Sequence, residues 1–150
     1  MKRIVVPLDG SELSEKALPR AIELAQKMSL EIVLLRAYLM PGVAYPTGSY
    51  APDWKLLDQE EKEITSKYLE NKIRQLRGDG LERVSFTVLE GSAAEKIIDV
   101  AREKPESVIV MSTHGADGAG RWVFGNTAER VIRHSEIPVL AVRAKSAYFR

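Results

Sequence analysis

Hydrophobic positions follow two different rhythms along this chain. Ile4–Val6, Glu31–Leu35, Ser107–Met111 and Pro138–Val142 are short, nearly continuous apolar runs, mostly β-branched, and such runs predict strands buried on both faces. Val84, Phe86 and Val88 instead alternate with polar residues, as an edge strand does. Between these runs the period lengthens. Leu13, Ala17, Leu18, Ala21, Ile22, Leu24, Ala25 and Met28 recur at helical spacing behind Ser11, a residue suited to cap a helix. Pro19 falls inside that pattern, so either one helical hydrogen bond is lost or the helix starts later. Asp53 caps a highly charged helix that runs to about Arg77 and ends at Gly78–Gly80. Ser92–Glu95 has the spacing of a capping box before a helix with Ile97, Ile98 and Val100 inward, and Asn126–Glu129 resembles a second one before Val131 and Ile132.

Five apolar strands thus alternate with four helices, and no shift in composition or internal repeat divides the chain. The pattern predicts one α/β domain over residues 1–150, with parallel strands, right-handed crossovers and helices on both faces of a doubly wound sheet. Ligands of such sheets sit beyond the carboxyl ends of the strands, where the winding reverses. Pro7–Asp9, Arg36–Ala37 and Met111–Gly115 occupy those ends.

Composition removes several classes of function. The 22 basic and 21 acidic residues leave a net charge of +1, which provides no electrostatic field for nucleic acid or anionic lipid. The chain has no cysteine, and hence no disulfide framework, thiolate nucleophile or zinc knuckle; two histidines are too few for a histidine-built metal site. The first apolar run is three residues long, far short of a signal peptide or membrane span, so the expected compartment is the cytoplasm.

Two loops stand out. The stretch Tyr38–Pro52 mixes prolines, glycines and tyrosines and is long for a connection inside a compact domain. Four of the ten glycines fall between Gly115 and Gly125, after the fourth strand and just before a helix. Glycines there allow a ligand to lie against the main chain, and the amides and dipole of a helix start attract an anion. A flexible connector would show the same composition. Neither the Walker ending nor the dinucleotide-binding spacing is present.

From RIVVPLDGSELSEKAL at its start to IPVLAVR near its end, the chain resembles the universal stress protein family. The family's ATP-binding signature is glycine, two residues, glycine, nine residues, glycine, then serine, threonine or asparagine. Here Gly115, the nine residues Ala116–Phe124, Gly125 and Asn126 match it, and Ser112 stands in place of the first glycine. The resemblance implies strand order 3-2-1-4-5 and an adenine nucleotide, ATP or AMP with Mg²⁺ bridging the phosphates, in a stress-response protein acting as a switch with at most slow hydrolysis. It implies a nucleotide site built from Pro7, Leu8, Asp9, Ala37, Met111, Ser112, His114, Gly115, Gly125, Asn126, Thr127 and Ala128, and a homodimer joined along the C-terminal strand. Asp9 has a second reading, a turn aspartate bonded to its own backbone. Ser112 either crowds the ligand or bonds to it. Trp122 and Phe124 are expected to anchor the glycine loop, and His134 to cap a helix end or lie on the surface. Two other functions share this sequence pattern: an interaction module without nucleotide, and a related α/β enzyme such as an adenylyl transferase, whose paired histidines Thr113–Gly115 lacks.

Overall fold

The computed structural model describes residues 1–40, 53–114 and 124–144. The expectations for the Tyr38–Pro52 loop beyond residue 40, for Gly115 and the two glycines that follow it, and for Trp122 lie outside the described residues.

Five strands, β1 (Arg3–Pro7), β2 (Glu31–Tyr38), β3 (Val84–Glu90), β4 (Ser107–Ser112) and β5 (Val139–Val142), form one parallel sheet in the order β3-β2-β1-β4-β5. β1 is central, with Val5 opposite Val33 on one side and Ile109 on the other. The chain first winds outward through β2 to β3, then returns across the sheet to β4 and β5. That reversal puts the crossover helices before it on one face of the sheet and those after it on the other.

The alternation inside each strand sorts the core into two layers. Ile4, Val6, Ile32 and Leu34 pack against the helices α2 (Leu18–Met28) and α3 (Trp54–Gly78), where Ala21, Ala25, Leu69, Ile73 and Leu76 are buried. Val5, Leu35, Ile109 and Met111 face α4 (Ala93–Glu103) and α5 (Asn126–His134), through Ala94, Ile97, Val100, Ala128 and Val131. Among the described residues no helix is long and apolar enough to cross a membrane.

Local details depart from the sequence expectations for identifiable reasons. A short helix α1 (Glu12–Glu15), capped by Ser11, precedes α2, and Pro19 sits in the first turn of α2, where its missing N–H costs nothing. The later of the two possible helix starts is the real one. β2 continues three residues past Leu35 because Arg36 and Tyr38 find partners on the α3 side. Asp53 caps α3 through a bond from the Leu56 N–H. Ser92 occupies the N-cap of α4 with no side-chain bond; its carbonyl accepts the Lys96 N–H instead. In α5 the cap is Gly125, not Asn126: the Gly125 carbonyl accepts the Glu129 N–H, and Asn126 is already helical. Phe124 is 46% exposed. His134 ends α5 exposed to solvent.

Arg3 carries a feature that hydropathy could not indicate. Its guanidinium is buried, donating to Ser107 Oγ at 2.9 Å and to the Val100 carbonyl at 2.5 Å. Val100 lies in the last turn of α4, so the cation sits at the negative end of that helix.

Tyr38 holds the exposed first half of α3 to the end of β2 by donating to Asp58 Oδ1 at 2.7 Å. Burial, and next the Asp58 carboxylate, push the Tyr38 pKa up to about 12. The native state therefore keeps a proton that the unfolded chain releases near its ordinary value of 10.0, and stability falls as pH rises from there through about 12. Burial also raises Tyr68, in the same direction. Tyr38→Phe is expected to remove part of this alkaline loss, read as a shallower fall of the urea midpoint with pH; an unchanged slope would exclude Tyr38 as a source.

Candidate functional site

At the carboxyl end of the sheet, where β1 and β4 part, lies a cleft of about 340 Å³. Its position follows from the winding reversal: the connections after these two central strands leave toward opposite faces, and among the described residues no element fills the gap. Pro7, Leu8 and Asp9 form one wall, Met111, Ser112 and His114 the other, and Ala37 closes the side beneath β2. Gly125, Asn126, Thr127 and Ala128, at the start of α5, complete the rim. Eleven of the twelve positions named from the sequence thus line a single cleft.

The β1 wall is built by a tight turn. The Leu8 N–H donates to the Leu35 carbonyl at 2.8 Å and prolongs the sheet by one residue. Gly10 then takes φ +88°, a conformation side chains rarely adopt, and a Cβ there would come within 3.1 Å of the Arg36 guanidinium. Asp9 Oδ1 accepts from the Ser11 N–H at 2.9 Å and from Ser11 Oγ at 2.5 Å. The aspartate is therefore a turn former, and it also lines the cleft.

The β4 wall is organised by two hydroxyls. Ser112 is buried, and its Oγ donates to the His114 carbonyl at 2.7 Å and accepts the His114 N–H at 3.3 Å. The hydroxyl is thus folded back onto the main chain of His114. Thr113 Oγ1 lies 3.0 Å from His114 Nδ1. The Thr113 carbonyl accepts the Gly125 N–H at 2.8 Å, which pins the two ends of the glycine-rich segment together.

The third wall is the helix start. Gly125, the N-cap residue of α5, brings no side chain of its own to cap the helix. The floor of the cleft is apolar, from Leu35, Ala37, Ile97 and Met111. The arrangement suits a flat apolar group below and an anion beside α5. Among the described residues no cluster of three or more His, Asp or Glu is placed to hold a metal ion.

The sequence reading missed Ser14, Leu35, Ala93, Ile97 and Thr113, which also line the cleft. Leu35, Ala93 and Ile97 bear no signal that separates a cleft wall from ordinary core. Thr113 lies inside the matched signature and could have been included on that ground.

The family model for the universal stress protein family matches residues 1–143. The chain belongs to the universal stress protein family. Among curated relatives, universal stress protein MJ0531 of Methanocaldococcus jannaschii is 32% identical over 143 residues, covering 95% of this chain and 82% of that protein. The solved structure of MJ0577, from the same organism, is similar with a TM-score of 0.83 at 26% identity, covering 97% of this chain and 98% of that one. A universal stress protein of Archaeoglobus fulgidus, solved in complex with dAMP, shares the fold at a TM-score of 0.59 and 22% identity, over 94% of this chain and 97% of that one. The strand order implied by the family resemblance is the one observed.

Proposed function

We propose that this universal stress protein binds an adenine nucleotide, ATP, in the cleft between β1 and β4, and acts as a nucleotide-dependent switch in a cytoplasmic stress response. The observation that carries this reading is the pairing of an apolar floor with the glycine-capped start of α5 at one cleft. The floor takes a base. The first-turn amides of α5, with the short polar side chains of Asn126 and Thr127, take phosphate oxygens. Asp9 is the carboxylate on the rim and is suited to a ribose hydroxyl or a base amine. At about 340 Å³ the cleft lies within the ~300–1,000 Å³ usual for small-molecule sites. The dAMP complex of the A. fulgidus relative supports an adenine nucleotide as the ligand class. With no carboxylate cluster among the described residues, a Mg²⁺ ion would be carried in by the phosphates, and its chemistry would be to neutralise their charge.

The reading includes a homodimer. Among the described residues β5 pairs on one side with β4, and Leu140 on it is 40% exposed. An apolar strand at an open sheet edge is a template for a second strand, and a second copy of this chain satisfies it. Sedimentation of the purified protein at monomer mass would remove this part.

Thermal-shift titration tests the nucleotide. ATP at 100 times its dissociation constant stabilises the native state by about 2.7 kcal/mol, a rise of about 5–10 °C in Tm for a chain of this size. ATP and AMP should both raise Tm, and GTP should do so less. No shift with any of the three would leave the reading of an interaction module without nucleotide.

A further inference from the structure

We propose that Thr113 is a positioning residue: its hydroxyl fixes His114 in the tautomer that carries the ring proton on Nε2, so that the histidine meets its ligand as a hydrogen-bond donor. The role toward a ligand rests on the nucleotide reading above; the tautomer stands independently of it.

The argument is a count of protons at one buried oxygen. Thr113 is 6% exposed and held from both sides through its main chain, with its N–H on the Val142 carbonyl at 2.9 Å and its carbonyl under the Gly125 N–H at 2.8 Å. Its Oγ1 is therefore in a fixed place. That oxygen accepts the Ala144 N–H at 3.3 Å and lies 3.0 Å from His114 Nδ1. A hydroxyl offers one proton and two lone pairs. The Ala144 amide takes one lone pair. If Nδ1 carried a proton, it would take the other, and the hydroxyl's own proton would be left without an acceptor among the described residues. Buried donors are rarely left so. If Nδ1 is the acceptor, the hydroxyl is fully used: Ala144 donates to Thr113, Thr113 donates to His114, and the ring proton sits on Nε2.

The assignment has a chemical consequence. Ionised phosphate oxygens only accept hydrogen bonds, and a ring with an unprotonated Nε2 would meet them lone pair to lone pair, whereas a ribose hydroxyl can pair with either tautomer. The Nε2–H tautomer matches the phosphate oxygens. Because Ala144 follows β5, the chain leaving the edge strand also takes part in orienting a residue of the cleft. Thr113 thus joins three parts of the protein: the β5 end, the start of α5 and the cleft histidine.

The ring nitrogens of ¹⁵N-labelled, nucleotide-free protein test this directly. The chain has two histidines, and His134→Gln assigns the remaining signals to His114. A long-range proton–nitrogen spectrum of the neutral ring is expected to show an unprotonated Nδ1 and a protonated Nε2. A protonated Nδ1 would overturn the proposal. Thr113→Ser keeps the hydroxyl and should keep the tautomer; Thr113→Val removes it and should lose the bias. The same tautomer at the same population in the valine variant would also overturn it. ATP affinity is expected to fall about tenfold in Thr113→Val and to stay within about twofold in Thr113→Ser. If no protein in the series binds ATP, the nucleotide reading fails, while the spectra still decide the role of Thr113.

Discussion

Leu69→Ala will lower the stability of the native state by about 3–4 kcal/mol, read by urea unfolding. Leu69 is fully buried on α3, one helical turn from Thr65 on one side and from Ile73 on the other, in the layer that packs on Ile32 and Leu34. Truncation removes the transfer energy of the lost atoms and leaves a cavity lined by strand side chains, which the sheet cannot collapse to fill. Ile64→Ala is the control. Ile64 is on the same helix but 63% exposed, and its replacement should change stability by no more than about 0.5 kcal/mol. The Leu69 site belongs to the layer opposite α4 and α5, so the ATP affinity proposed for the cleft should be unchanged under native conditions. A loss below about 1 kcal/mol would mean that α3 does not hold the sheet as described.

The sheet was legible in the sequence because its physics is local. Ile4–Val6 or Ser107–Met111 cannot form anything soluble unless buried on both faces, and the helices between them read from their own spacing. Strand order was not legible from the pattern: pairing of β1 with β4 joins residues about a hundred positions apart, and the order was expected through the family resemblance alone. Arg3 shows the same limit. A charged residue at the chain start reads as solvated, and the carbonyl that accepts its bond belongs to Val100. Helix caps failed by one residue at α5, because a glycine with the right backbone angles can occupy the cap while the polar residues beside it attract the assignment.

The candidate cleft was legible for a different reason. Chain ends of parallel strands converge at the winding reversal, so residues just past β1, β2 and β4 were bound to meet once the sheet was assigned. Which neighbours join them depends on facing. Leu35 and Ala37 turn toward the cleft while Arg36 between them turns away, its guanidinium 5.1 Å from the centre of the Tyr68 ring. That parity is fixed only when β2 is known to continue past Leu35 as a strand.

Gly125→Val should abolish ATP binding, by about a hundredfold or more, and leave the fold intact. Gly125 has φ −58° and ψ 156°, angles that a β-branched residue adopts without strain. Its N–H can still donate to Thr113 and its carbonyl can still accept from Glu129, so the cap of α5 survives the change. What changes is space: Gly125 is buried in the rim of the cleft, at the point where an anion must approach the first-turn amides. Gly10 would make a poor probe for the same question. Its φ of +88° makes any replacement strained, so a loss of binding there would report a damaged turn. Circular dichroism and urea unfolding establish that the Gly125 variant is folded, and calorimetry reads the affinity. Gly125→Ala, with a single added carbon, should give an intermediate loss and serves if valine proves too disruptive. ATP affinity within about threefold of the parent in both variants would place the nucleotide away from α5, because no phosphate can share that space with a side chain.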